Sequence, residues 1–151
     1  MKILITTLLL ISALFAEIKV GDGFPKLTLE DQFSKKTEVK QVGTTTLLLS
    51  FEKDVSAEIK KYLETKEEGF LEANNLMYIS DISSMPSFIT SMFAIPKMKK
   101  FSFKISLIYD EEEAEAISRE EGKVTVIALE NNLVKKIEFI EPKALDSLLN
   151  N

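Results

Sequence analysis

Eight consecutive residues, Thr44-Thr45-Thr46-Leu47-Leu48-Leu49-Ser50-Phe51, carry no charge and no turn-forming residue. A half-exposed strand would alternate apolar and polar side chains, and this run does not. It is also shorter than a typical helix and rich in β-branched and apolar residues. It therefore reads as a central strand covered on both faces, as in a parallel sheet with helices above and below. A chain built around such a strand is expected to be α/β.

The flanking patterns support that expectation. Val55, Ile59, Tyr62 and Leu63 recur at helical spacing, which predicts a helix from about residue 56 towards 71, interrupted at Gly69. Residues 76–80 (LMYIS) read as a second buried strand. Ser84 is the expected cap of a helix over 86–101, with Pro86 near its first turn and Pro96 kinking or splitting it. Residues 105–109 read as a short strand, and Asp110 opens an acidic helix expected to run to Arg119. Residues 123–129 and 133–140 form a hairpin about the turn Glu130-Asn131-Asn132, and Pro142 starts a last helix through Leu149. Upstream, Leu27 and Leu29 predict a short strand, Glu30-Asp31-Gln32 a turn, and Thr37-Glu38-Val39 its return strand.

The first residues read as an address. Met1-Lys2 is basic, residues 3–15 are almost wholly apolar, and Ala16 precedes the polar chain at Glu17. Residues 1–16 are therefore expected to be a secretory signal peptide, and residues 17–151 the folded domain, periplasmic or secreted after cleavage. Leu14 is large for the position three before the cut. The apolar run falls short of the roughly 20 residues of a membrane span, so no stable membrane insertion is expected once it is removed. The alternative is an uncleaved anchor.

Composition removes whole classes of chemistry. Among 151 residues there is no cysteine, histidine or tryptophan. Without cysteine there is no disulfide, thiol nucleophile or Fe–S site. Without histidine there is no imidazole base or Ser-His-Asp triad. No cofactor is called for. The net charge is -5, so nucleic acid, which needs a basic face, is not an expected partner.

The element order is ββ, β-α-β-α, a short β-α insertion, a β-hairpin and a closing helix. It resembles a thioredoxin-like three-layer α/β/α sandwich with a mixed central sheet and an N-terminal ββ extension. Val20-Gly21-Asp22-Gly23-Phe24-Pro25, followed by Leu29-Glu30-Asp31-Gln32-Phe33, is similar to the start of the peroxiredoxin and thiol-oxidoreductase branch of that fold. The stretch 31–37 (DQFSKKT) and Ser56-Ala57 also resemble the cysteine-free, exported YtfJ-type proteins. The resemblance implies that a redox pair would lie just after the first central strand. Here that loop, 51–56 (FEKDVS), has no thiol. It also implies a cis-proline before the strand at Val124; Gly122-Lys123-Val124 has none, and a trans bond is expected. Thiol–disulfide exchange and thiol-peroxidase chemistry are thereby excluded, and a scaffold remains.

What could still act lies at the sheet edge. Glu52, Lys53 and Asp54, then Asp81, then Asp110 and Glu111 follow successive central strands, where open α/β sheets bind ligands. Carboxylates could hold a hard cation there, but their spacing matches no known loop, and helix capping explains Asp54 and Asp110. Lys53 and Ser56 form a nucleophile pair only if the lysine is desolvated; Ser56 sits where an N-cap is wanted, and a helix start there could hold a small anion. Met85, Met92 and Met98 with Phe88, Phe93 and Phe101 make a soft apolar stretch that suits a core face, an adaptable groove or Cu(I). Lys97, Lys99 and Lys100 add a small basic patch. The expected function is a redox-inactive module that binds another envelope protein. Its expected surface is Glu52, Lys53, Asp54 and Ser56, with Met92, Lys123 and Val124, because these regions surround the substrate peptide in active relatives. The alternative is a small-ligand or cation-binding protein, or an enzyme, using the carboxylate edge.

Overall fold

The uncharged run becomes β3 (Thr44–Ser50), an interior strand of a seven-stranded sheet in a computed structural model that describes residues 16–150. The expected signal segment up to Phe15 lies outside the described residues. The other strands are β1 (Leu29–Asp31), β2 (Lys36–Thr37), β4 (Leu76–Asp81), β5 (Ser106–Ile108), β6 (Val124–Glu130) and β7 (Leu133–Ile140). They lie in the order β2-β1-β5-β4-β3-β6-β7. β3, β4 and β5 are parallel, while β6, β7, β1 and β2 join antiparallel. The mixed sheet with helices on its faces is the expected thioredoxin-like α/β arrangement.

Leu47 and Leu49 point into one core with Ile79, Ile108 and Ile127; Leu48 points into the other with Tyr78, Leu107 and Val126. That is why β3 shows no alternation. The first core is closed by the N-terminal segment, through Ile18, Phe24 and Leu27, and by Ala114 of α5 (Glu111–Glu115). The second is closed by α1 (Lys53–Leu63), α2 (Phe70–Ala73) and α6 (Leu145–Leu149) through Ile59, Leu71 and Leu145. Met85, Ile95 and Met98 pack at its margin.

The hairpin forms as expected. Asn131 (φ 49°) and Asn132 (φ 63°) both take left-handed backbone, the requirement of a two-residue turn that matches strand twist. Gly69, also left-handed at φ 84°, separates α2 from the chain that leaves α1. Other boundaries moved. The turn after β1 spans 32–35 rather than 30–32, and β2 starts one residue earlier and ends two residues earlier than expected. The acidic helix keeps its Asp110 cap, which accepts from Glu112 N–H at 3.0 Å, but ends at Glu115. The carbonyl of Ala116 accepts from Ile18 N–H of the N-terminal segment, and Ile117 closes a tight turn onto Ala114.

Pro96 neither splits nor ends its helix. α3 (Ser87–Ile89), a π-helical turn (Thr90–Ala94) and α4 (Ile95–Met98) run on with helical backbone at both junctions. Pro96 cannot donate back up the helix and its ring crowds the preceding turn. The wider turn just upstream relieves that crowding. Ser84 does not cap this helix. Asp81 holds Ser83 through its N–H (2.9 Å) and its hydroxyl (2.6 Å), Met85 N–H turns onto Ile82, and the helix begins only after Pro86. It stops at Met98 rather than Phe101, where the chain folds back and stacks Phe101 on Phe103 at 5.3 Å.

Candidate functional site

α1 begins at Lys53, so Ser56 lies inside the helix and not at its cap. Glu52, the cap residue, makes no side-chain bond to the helix. Its carboxylate instead accepts from Gly122 N–H at 2.8 Å, tying the loop after β3 to the loop before β6. Gly122 has φ 72°, a conformation that suits glycine. Asp54 is in the first turn, exposed, where it complements the helix dipole.

Four hydroxyls meet beneath this helix start. Ser50 ends β3, Ser80 lies opposite it on β4, Tyr78 comes from two residues earlier on β4, and Ser56 comes from α1. Ser56 donates to Ser50 at 2.8 Å, Ser50 lies 3.2 Å from Ser80 and 3.0 Å from Tyr78, and Ser56 lies 3.3 Å from Ser80. Four hydroxyl protons serve four contacts, so the cluster closes on itself. Burial pushes the Tyr78 hydroxyl above its ordinary range, while its bonds to the three serines pull the other way. The oxygen of Ser56 faces only other hydroxyls, with neither carboxylate nor amine on it among the described residues. Nothing here activates a serine nucleophile.

Above the cluster lies a groove of about 380 Å³, within the size range of ligand pockets. One wall is Lys53, Ser56, Ala57 and Lys60 of α1, spaced as a single helix face. The other is Ile89, Phe93 and Lys97, with Met85, Met98 and Phe101 at its ends. Phe93 is 62% exposed, and Phe88 and Met92 stand beside it at 60% and 66%.

The expected surface residues therefore fall into three groups. Lys53 and Ser56 line the groove; Glu52 and Asp54 border it on the same helix start. Met92 is exposed but lies outside the groove, which its neighbour Phe93 lines instead. Val124 has no exposure and belongs to the core, so it offers no surface: it is the first inward residue of β6, opposite Ile140. Lys123 is drawn away to an ion pair with Glu141, whose carboxyl this hydrogen bond and charge hold below its ordinary range. The residue before Val124 is joined by a trans bond; no cis peptide occurs among the described residues.

The carboxylates at the sheet edge do not converge. Asp81 is nearly buried, holds Ser83 and faces Arg119 at 3.7 Å; Asp110 caps α5; Glu52 holds Gly122. Among the described residues no group of three such side chains is placed to hold a metal ion. Sequence reasoning missed Ser50, Tyr78, Ser80 and Lys60. A signal was present: both buried runs, LLLS and YIS, end in serine, and parallel register brings those serines together.

No protein-family model matches the chain, and no curated protein matches it. Solved structures do. The chain is similar to a peroxiredoxin-like protein from Aquifex aeolicus at 16% identity and a TM-score of 0.57, with 89% of this chain and 85% of that one covered. It is similar to a peroxidoxin from Mycobacterium tuberculosis at 13% identity and 0.57, covering 89% and 96%. A thiol:disulfide interchange protein from a Bacteroides species matches at 10% identity and 0.54, covering 89% and 92%. These likenesses establish a thioredoxin-like α/β fold. The chain has that fold and no cysteine, which fits a redox-inactive domain, since thiol chemistry has no residue of this chain to run on. No helix among the described residues is long and apolar enough to cross a membrane.

Proposed function

We propose that this chain is an exported, redox-inactive thioredoxin-like module that binds another protein of the cell envelope. Export is inferred from the basic start, apolar run and small residue of positions 1–16. Binding is carried by one observation: beside the helix start after β3 there is an open apolar groove, with Phe93 left 62% exposed on its wall. Large aromatic side chains on a free surface cost solvation unless something covers them. The hydroxyl cluster below is self-satisfied and neutral, so the groove floor demands no reaction and no ion.

The test is photo-cross-linking in intact cells, with a cross-linking residue placed at Phe93 and, as a control, at Lys135 on β7. One reproducible envelope protein captured at Phe93 and absent at Lys135 is the expected result. Equal or absent capture at both sites removes the binding reading. The intact mass of the same purified protein reads the address: a chain starting near Glu17 is expected, and one retaining Met1 overturns cleavage.

A further inference from the structure

The groove is basic in an acidic protein. The whole chain carries a net charge of -5, yet the ionisable liners of the groove are Lys53, Lys60 and Lys97, with Tyr78 and Asp81. Asp81 is already engaged: its side chain is 8% exposed, faces Arg119 and accepts from Ser83. Helix geometry produces the sorting. Lys53, Ser56, Ala57 and Lys60 share one face of α1, and Asp54 and Glu58 fall off it. Lys97 stands on the opposite wall, one turn after Phe93. Among the described residues neither Lys53 nor Lys97 is in an ion pair, whereas Lys60 pairs with Glu64 at 2.7 Å and lies over the Phe101 ring at 5.1 Å.

The geometry points to an occupant that is a peptide segment with apolar anchors flanked by several carboxylates. This rests on the binding reading above and names the partner's chemistry. The apolar anchors meet Phe93, Met85 and Met98, whose flexible thioethers adapt to varied side chains. The carboxylates meet the lysines. Lys53 and Lys60 are seven residues apart, about 10 Å along the helix, and Lys97 is across the groove. One carboxylate, as on a fatty acid, cannot reach cations so dispersed. A chain carrying several acidic residues can. The lysines also set orientation and exclude basic segments, which the rest of this acidic surface would attract.

The experiment uses the protein as cells make it and three labelled synthetic peptides, read by fluorescence anisotropy. Each has two leucines and a phenylalanine, flanked on both sides by glutamates, by glutamines or by lysines. The glutamate peptide is expected to bind most tightly and to weaken with added salt. Lys53→Gln and Lys97→Gln each are expected to weaken it roughly two- to fivefold, while leaving the glutamine peptide and the melting temperature unchanged. Equal binding of the glutamate and glutamine peptides, with indifference to both variants, overturns the acidic partner but leaves the binding module standing. Binding of none of the three overturns the peptide occupant here, and cross-linking at Phe93 decides the broader reading separately. Laurate that displaces the glutamate peptide, and binds more tightly than it, reassigns the groove to a lipid and overturns the proposal.

Discussion

Gln32 and Ser50 are both buried polar residues at the ends of strands, and the structure satisfies them in different ways. Gln32, 1% exposed after β1, bonds only to backbone. Its amide donates to the carbonyls of Phe103 at 2.8 Å and Met98 at 3.4 Å, and its carbonyl accepts from Ile105 N–H at 3.0 Å. Those backbone groups are fixed and have nowhere else to turn. Ser50 bonds to three hydroxyls, each of which can rotate and re-pair. The first arrangement is a brace: it holds the end of the helix that forms one groove wall. The second is a floor. A buried polar group with fixed partners should cost more to remove than one with adaptable partners.

The sharpest break is Gln32→Ala. It strands Ile105 N–H and the Phe103 carbonyl in the interior, and the expected loss is about 3 kcal/mol by urea unfolding. A loss under half that would show the brace to be dispensable. Ser50→Ala is expected to cost about 1.5 kcal/mol, because Ser56 and Ser80 still pair at 3.3 Å and the Tyr78 hydroxyl, which loses its 3.0 Å partner, can turn to them. If it cost as much as Gln32→Ala, the distinction between fixed and rotatable partners would fail.

Tyr78→Phe sharpens the comparison through pH. The hydroxyl holds its proton above the ordinary value of 10.0, chiefly through burial. Between that value and the higher native one, the folded state binds more protons than the unfolded, so stability falls as pH rises. Below pH 10 this group adds no slope. The variant should lose about 1 kcal/mol at neutral pH and show a flatter alkaline limb above pH 10 in thermal melts. An unchanged alkaline limb would mean that Tyr78 ionises freely. The smallest effect is expected for Ser56→Ala, about 0.5 kcal/mol, since Ser50 keeps Tyr78 and Ser80. A larger loss would make Ser56 the keystone of the floor.

Much of the fold was legible because its determinants are local. The run of Thr44 to Ser50 has no polar face, so it had to be covered twice. Asn131-Asn132 between two apolar runs demanded a tight hairpin. Asp110 before three glutamates marked a helix start. Where the structure departs from the local pattern, distant chain competes for the same groups. Ala116 gives its carbonyl to Ile18 rather than to its own helix, and Glu52 gives its carboxylate to Gly122 rather than to α1. Pro96 signals a kink or a split in sequence, because the compensating π turn has no local signal. The position of Val124 just after Gly122-Lys123 suggests surface, while its side chain belongs to the core.

The sequence alone determined the α/β class, the central strand and the absence of thiol and imidazole chemistry, because these follow from residue type and short-range periodicity. Only the tertiary structure decided the groove. Its walls come from residues 53–60 and 89–97, its floor from the ends of two parallel strands, and the phase of α1 turns Lys53 and Lys60 towards it while Lys97 faces them from the other wall. Which faces of two helices meet depends on how each packs against the sheet, and that is set by the whole core at once.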